Sequence, residues 1–201
     1  MANPFISQVI SRLRKSPSDA RGKRFVAVIE CLLNQNARDR GAAAFPAVNA
    51  AVLELCVRHD VGLLQIPCPE IRLLGPCRER PPGTSIRSCL DAPAGRQCCR
   101  EISEVVVKRV RDYLEQGVAL LAILGGNPES PGCAVHPETG QAQLNATSGI
   151  LMQTLAEVLD AASIQVPFRG IRDYRSDLLA ADLHWLEQRF LDQANSVGPN
   201  I

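Results

Sequence analysis

The sequence lacks the long apolar runs that would place the chain in a membrane. No segment approaches the roughly 18 uninterrupted apolar residues of a transmembrane helix. The N-terminal stretch MANPFISQVISRLRKSP has its charged residues after the apolar ones and no small-residue cleavage site, which is the wrong order for a secretory signal. These absences predict a cytoplasmic protein, in which thiols stay reduced.

An excess of charge of one sign is also missing. The 201 residues include 22 Lys and Arg and 21 Asp and Glu, a formal net charge of +1, so no overall field recruits nucleic acid or a membrane surface. A local exception is the basic segment SRLRKSPSDARGKR, residues 11–24. It fits a solvated helix end and linker, with a weak phosphate or RNA contact as the alternative. We therefore expect neither a membrane partner nor a nucleic acid partner.

Cysteine, by contrast, is plentiful. Eight cysteines in a reducing compartment indicate metal binding or catalysis rather than disulfides. Cys56 falls inside a predicted helix and is assigned to the core. Four further thiols lack the paired Cys-x-x-Cys spacing of a zinc ribbon and are assigned to loops or packing, with a zinc site or a redox pair as the alternative: Cys77, Cys89, Cys98 and Cys99.

Short apolar runs alternate along the chain with segments of helical periodicity. The apolar runs predict buried strands over residues 24–30, 61–67, 118–124 and 164–168. Helical spacing predicts helices over residues 4–14, 45–59 with Pro46 in the first turn, 100–117, 147–162 with Thr147 as N-cap, and 177–193. Residues 75–98 show no period and predict irregular structure.

This alternation of elements predicts one α/β domain. Strands that are apolar throughout imply a mostly parallel sheet covered on both faces, a Rossmann-like three-layer sandwich. We expect an N-terminal helix and basic linker over residues 1–23, a single α/β domain over 24–195, and a C-terminal tail over 196–201.

A cysteine follows each of the first three predicted strands. These are Cys31, Cys68 and Cys133. In an open parallel sheet the carboxyl ends of the strands lie at one edge, and ligands bind in the crevice outside that edge. The three thiols are therefore expected to meet in space. Chance placement is the alternative, because eight cysteines allow many triples.

The sequence around these cysteines resembles a known family. The stretches are ECLLNQNAR (30–38), IPCPE (66–70) with LGPCRERPPG (74–83), and NPESPGCAVHP (127–137). In order and in strand context they are similar to the motifs of the thiouracil desulfurase (desulfidase) family and its uncharacterised relatives. That family has a Cys-Leu-Leu turn followed by an Arg, then a Cys-Pro-Glu with a Gly and an Arg-x-Pro downstream, and later a Ser-Pro-Ser-Cys loop. The resemblance covers about residues 24–160.

These motifs differ from the family pattern at three places. Asn34 occupies the place of a glycine after Cys-Leu-Leu, and Gly132 occupies the place of the serine before the third cysteine. The Arg-Tyr-x-Gly of the family becomes Arg38, Asp39, Arg40 and Gly41. These changes bear on the identity of the substrate more than on the cysteine ligands.

The resemblance implies a [4Fe-4S] cluster held by Cys31, Cys68 and Cys133. Thiolates are the soft ligands that such iron prefers, and three of them leave one iron open. The implied activity is non-redox desulfidase chemistry, in which water removes sulfur from a small thiocarbonyl compound such as a thiolated pyrimidine. The alternatives are a non-catalytic zinc or iron-sulfur binding module, acting as a metal or sulfur carrier, and a cofactor-free interaction protein.

The resemblance also implies two catalytic residues. Glu70, two residues after the second cysteine, is the candidate base for water. It could instead cap a turn or pair with Arg78 or Arg80. Ser130 could orient the substrate or a proton. The alternative is a serine in a turn whose hydroxyl only forms a hydrogen bond to its own backbone.

Two further residues are assigned to the substrate. Arg38 could hold a negative edge of the substrate, with a surface arginine as the alternative. Asn127 could contact the substrate or only hold its loop.

Overall fold

The computed structural model of this protein describes residues 19–136 and 144–196. The helix predicted over residues 4–14, most of the basic linker and the end of the C-terminal tail lie outside these described residues. Residues 19–23 precede the first strand without helix or strand structure.

Strands and helices alternate through the described chain. The strands are β1 (Arg24–Ile29), β2 (Gly62–Ile66), β3 (Ala119–Gly125) and β4 (Phe168–Gly170). The helices are α1 (Glu30–Leu33), α2 (Ala50–Arg58), α3 (Pro69–Leu74), α4 (Ile86–Asp91), α5 (Pro93–Leu114), α6 (Ile150–Ala161) and α7 (Ser176–Ser196), with a 3-10 turn at Gln35–Ala37. Among the helices of the described residues, none is both long enough and apolar enough to cross a membrane.

The four strands form one parallel sheet in the order β2-β1-β3-β4. Helix α5 packs against α6, and helix α2 contacts α7. The chain moves from β1 outward to β2 and then back past β1 to β3, so right-handed crossovers place these two helix pairs on opposite faces of the sheet. The predicted α/β sandwich with a parallel sheet is confirmed.

The strand register aligns the carboxyl ends of all four strands. Ile29 at the end of β1 is paired with Ile66 at the end of β2, and Gly125 at the end of β3 is paired with Gly170 at the end of β4. Segments that follow the strands therefore begin at one edge of the sheet, which is where ligands bind in such folds.

The central strands supply the middle of the core. The side chains of Val26, Val28 and Leu124 are completely buried. The prediction of a buried second strand is wrong for most of its length, because β2 lies at the edge of the sheet and Gly62, Leu63 and Gln65 are exposed. An apolar run alone does not distinguish an edge strand from a central one, since that depends on strand order.

Two predicted helices begin later than their sequence patterns indicated. Helix α2 starts at Ala50 and not near Pro46, because the buried side chain of Asn49 accepts a hydrogen bond from the N–H of Val52 and caps the helix there. Helix α6 starts at Ile150, so Thr147 is not its N-cap.

The prediction of irregular structure over residues 75–98 is wrong in its second half. Helix α4 begins after Ser85, whose hydroxyl accepts from the N–H of Ser88 in a capping box. Helix α5 begins at Pro93, a residue that is tolerated in a first turn, and it already contains Cys98 and Cys99. The segment is rich in turn-forming residues, so these two helix starts were not predicted.

The fourth strand lies later in the chain than predicted. β4 runs over Phe168–Gly170 and shares only its first residue with the predicted strand at 164–168. With three residues, it is too short to show a pattern of its own. Its pairing with Ile123–Gly125 of β3 defines it.

Candidate active site at the carboxyl ends of the strands

A cavity of about 740 Å³ opens at the edge of the sheet where the strands end. It is lined by all seven residues that the sequence singled out: Cys31, Arg38, Cys68, Glu70, Asn127, Ser130 and Cys133. Further polar residues without an assigned role also line it, among them Glu30, Arg78 and Asp173. The volume is that of an ordinary small-molecule site.

The first two cysteine segments are joined by a direct hydrogen bond. Cys31 lies in the short helix α1, and its carbonyl accepts from Gln35 Nε2 at 2.7 Å. The neighbouring Glu30 accepts a hydrogen bond from the backbone N–H of Cys68 through Oε2 at 2.8 Å. The carboxylate next to one cysteine thus fixes the backbone of the other.

A buried arginine lies beside Cys68. Arg78 Nη2 is 3.9 Å from the sulfur of Cys68 and donates to the carbonyl of Ala37 at 2.6 Å. Its Nε donates to Glu70 Oε2 at 3.3 Å, so one of the alternative partners expected for Glu70 is present. Arg78 has φ of 49°, a left-handed conformation that is uncommon outside glycine, and its buried contacts hold it there.

The third cysteine sits in a loop that is tied to helix α6. The N–H of Ile150 donates to the carbonyl of Pro131 at 3.1 Å, and the N–H of Leu151 donates to that of Gly132 at 2.9 Å. Within the loop, Ser130 Oγ lies 3.0 Å from Cys133 Sγ and accepts from the N–H of the same cysteine at 3.3 Å. The first free amides of the helix are thereby satisfied by the cysteine loop.

Two glycines allow the close packing of this loop. A Cβ atom on Gly126, just after β3, would lie 2.8 Å from Cys133 Sγ. A Cβ atom on Gly149 would collide with the backbone of Gly132 and Cys133. A larger residue at either position would displace the third thiol.

Asp173 joins in space the two residues that the sequence assigned to the substrate, Arg38 and Asn127. Arg38 Nη2 donates to Asp173 Oδ2 at 2.6 Å, and Asn127 Nδ2 donates to Asp173 Oδ1 at 3.3 Å. The Asp173 side chain is completely buried. Arg38 is therefore not a surface arginine, because only 9% of its side chain is exposed.

Burial raises the pKa of all three cavity thiols. The pKa of Cys31 rises to about 11, and the nearby Arg38 opposes part of this effect. The pKa of Cys68 is raised by burial, and that of Cys133 is raised well above its ordinary value by burial and then by the charge of Cys31. As free thiols these groups are protonated at neutral pH, and a metal that binds them must displace the protons.

The cavity carries donors of the chemical kind that an iron-sulfur cluster takes. Across residues 19–136 and 144–196, no group of three or more His, Cys, Asp or Glu side chains is arranged to hold a metal ion. A four-iron cluster spans more space than one ion, and it takes thiolate ligands from separate loops. Three thiols on one roomy cavity match that requirement.

The remaining cysteines of the described residues do not line this cavity. Cys56 is buried in the core, as predicted, and so are Cys98 and Cys99 on helix α5. Cys77 is exposed, and Cys89 is half-buried. All of them are free thiols.

Comparison with known proteins gives one informative match. The chain is 27% identical over 120 residues to Uncharacterized protein MJ0003 of Methanocaldococcus jannaschii, which covers 60% of this chain and 73% of that protein. The name of that relative brings no activity to this chain. No family model matches the sequence. No solved structure matches it either.

Proposed function

We propose that this protein is a [4Fe-4S]-dependent desulfidase of the thiouracil desulfurase type, acting on a small thiocarbonyl compound in the cytoplasm. One observation carries the proposal. Cys31, Cys68 and Cys133 follow three different strands, and they line one cavity together with Glu70 and other polar side chains.

The three cavity cysteines would hold the cluster. When bound, it would supply one iron without a protein ligand, a Lewis acid suited to a soft sulfur atom. Arg38 beside Cys31 and Arg78 beside Cys68 place two buried positive charges next to the thiolates. Such cations offset the negative charge that three thiolates bring into a buried site.

The overall reaction is hydrolysis, C=S plus H₂O giving C=O plus H₂S, so no electron enters or leaves. Glu70 would take the proton of the attacking water at one of its carboxylate oxygens. Its Oε2 is engaged by Arg78, while Oε1 lies on the side of Gly132, where an added Cβ would be 3.5 Å away. Arg78 thus orients the base, and Oε1 is the oxygen assigned to the proton.

Ser130 is assigned to a proton beside the third cysteine of the cavity. Its hydroxyl is within hydrogen-bond distance of Cys133 Sγ. It also accepts from the backbone of that residue, so the loop fixes its position. A hydroxyl held in this way can donate to a sulfur atom, which favours a role in orienting substrate sulfur or the departing sulfide.

The experiment is purification without oxygen, followed by analysis of iron and acid-labile sulfide and by an assay of sulfide release from a thiolated uracil. We expect a brown protein that contains iron and sulfide and releases hydrogen sulfide with formation of the oxo product. A colourless protein with neither iron nor sulfide would contradict the cluster. A brown protein that releases no sulfide would contradict the enzyme and leave a binding module.

A further inference from the structure

Arg78 is a buried cation that contacts both of the first two cysteine segments. Its Nη2 donates to the carbonyl of Ala37 at 2.6 Å, in the turn that follows Cys31, and donates to Cys68 Sγ at 3.9 Å. Its Nη1 donates to the carbonyl of Pro76 at 2.9 Å. One guanidinium therefore holds the chain after the first cysteine and lies against the thiol of the second.

The backbone of Arg78 is fixed as well as its side chain. Its φ of 49° is left-handed, a conformation that persists outside glycine only where surrounding contacts hold it. The N–H of Arg78 donates to the carbonyl of Gly75 at 3.1 Å, and its own carbonyl accepts from Arg80 Nη1 at 3.0 Å. The position of the guanidinium beside Cys68 is thus set from both the backbone and the side chain.

The charge of Arg78 is paired loosely with a carboxylate. Within residues 19–136 and 144–196 its ion-pair partner is Glu70, at 3.3 Å between Nε and Oε2, whereas charge-assisted bonds of this kind usually measure about 2.7–2.9 Å. Only 2% of the Arg78 side chain is exposed, so solvent screens the charge little. A cysteine binds metal as its thiolate, so a metal on Cys68 would give Arg78 a second negative partner.

The other buried arginine of the cavity differs in this respect. Arg38 lies beside Cys31, but its Nη2 is 2.6 Å from Asp173 Oδ2, and that carboxylate is completely buried. The charge of Arg38 is therefore closely matched by its own partner. Of these two arginines, Arg78 has the charge that is left more available to a metal centre.

We propose that Arg78 is a positioning residue that holds Cys68 and the turn after Cys31 in place for the cluster, and that its charge raises the reduction potential of that cluster. The inference rests on the cluster of the function proposed above and not on the desulfidase reaction. A nearby positive charge and an N–H donor at the ligand sulfur both favour the reduced form, so they make a cluster harder to oxidise. Lewis-acid chemistry without electron transfer requires a cluster that keeps one oxidation state.

The experiment compares the reduction potentials of wild type, Arg78→Met and Arg78→Lys, each as the full-length protein purified without oxygen. Each protein is titrated with dithionite in the presence of redox mediators, and the reduced cluster is followed by electron paramagnetic resonance. Lys keeps the charge and loses the fork of N–H donors, whereas Met loses both. Both substitutes need the same left-handed backbone as Arg, so backbone strain does not distinguish them.

The expected result is a lower potential in Arg78→Met. The equilibrium constant for one-electron reduction should fall by at least about tenfold, which is a drop of about 59 mV, because a buried charge next to a ligand is removed. The potential of Arg78→Lys should lie closer to that of wild type than to that of Arg78→Met. Equal potentials in wild type and Arg78→Met would overturn the proposal. An equal drop in both variants would overturn it too, since the charge would then have no effect.

Iron per chain decides the outcome if Arg78→Met holds too little cluster for the titration. Iron at the wild-type level in Arg78→Lys would then show that the charge at this position is required, and the proposal would stand. Loss of iron from both variants would mean that the geometry of the fork alone supports the site. The assignment of the charge to the cluster would then be wrong.

Arg169→Met is the matched control. Arg169 is also a largely buried arginine in an ion pair, with Nη2 at 2.6 Å from Asp182 Oδ1 and 14% of its side chain exposed. It does not line the cavity. The control should keep the wild-type potential even if the protein becomes less stable. The same drop in this variant would trace the effect to a general loss of structure, and the role of Arg78 would fall.

These outcomes separate this inference from the proposed function. A colourless wild type without iron would overturn the cluster, and this inference with it. A brown wild type that releases no sulfide from a thiolated uracil, but whose potential drops in Arg78→Met, would keep the role of Arg78 and lose the desulfidase activity. A brown and active protein with the same potential in wild type and Arg78→Met would keep the activity and lose the role of Arg78.

Discussion

Two groups of cysteines in this protein differ in their surroundings. Those at the strand ends line the cavity, whereas those on helices α2 and α5 lie in the core: Cys31, Cys68 and Cys133 against Cys56, Cys98 and Cys99. Burial raises the pKa of thiols in both groups. The strand-end group, however, has a hydroxyl and two arginines beside it. Burial alone therefore does not separate the two groups, whereas the shared cavity does.

The largest expected difference between the groups is in iron content. Replacing Cys31, Cys68 or Cys133 by Ser should remove most of the iron, because a hydroxyl is a poor ligand for an iron-sulfur cluster. Cys56→Ala and Cys77→Ser should keep iron near the wild-type level. The measurement is iron per chain after anaerobic purification. If Cys98→Ser removes iron as thoroughly as Cys68→Ser, the division into two groups is wrong.

A similar comparison can be made for catalysis between two carboxylates, one that lines the cavity and one that lies outside it. Glu70→Gln should keep the cluster, because the amide has nearly the same shape, while sulfide release from a thiolated uracil should fall by about 10²-fold or more, mainly in kcat. Glu101→Gln is the matched control, since Glu101 also pairs with an arginine, Arg72 at 2.6 Å, but lies half-exposed outside the cavity. The control should turn over at the wild-type rate. Equal rates for Glu70→Gln and wild type would remove Glu70 from the mechanism.

Replacing a cysteine of the core group should lower the stability of the protein more than replacing an exposed cysteine. Cys56→Ala leaves a small cavity at a position that is 1% exposed, so the free energy of unfolding should fall by about 1–2 kcal/mol. Cys77→Ala changes an exposed side chain and should have an effect within about 0.5 kcal/mol. Chemical denaturation of both variants under reducing conditions gives the comparison. A larger loss for Cys77→Ala would contradict the assignment of Cys56 to packing.

The smallest expected difference is in the pH dependence of stability. Burial raises the pKa of Cys56 from 9.0 to about 12, so the thiol ionises first in the unfolded chain. Its contribution to stability is fully present below pH 9 and is lost as the pH rises toward 12. At pH 9.5 the loss from this group is about 0.8 kcal/mol. Unfolding of wild type and Cys56→Ala at pH 7 and pH 9.5 should show a flatter dependence in the variant, and identical slopes would contradict the shift.

Local sequence was sufficient to predict the sheet and the strand-end cysteines. The apolar runs at residues 24–30 and 118–124 contain β1 and most of β3, and their alternation with helices indicated parallel strands. Both predictions use only residues that are close together in the sequence, because apolar periodicity and strand length are local properties. The position of a cysteine just after such a run is equally local.

The starts of some helices and the order of the strands could not be predicted from the sequence. The capping box of Ser85 and Ser88 could have signalled helix α4, but prolines and glycines around it favoured irregular structure. The edge position of β2 has no signature in its five residues, of which only Gln65 is polar. It follows from which strands pair, and pairing joins residues far apart in sequence.

The cysteines of the site could be placed from the sequence, whereas the position of Asp173 at the site was decided only by the tertiary structure. The sequence determined that cysteines follow three strands and that a carboxylate follows the second of them. It did not place Asp173 at the site, because β4 has three residues and becomes a strand only by pairing with β3. That pairing brings residue 173 level with the other strand ends, where Arg38 and Asn127 bond to it across 135 and 46 residues of chain. Hydrogen bonds over such separations depend on strand register, and register is fixed by the packed sheet rather than by any local pattern.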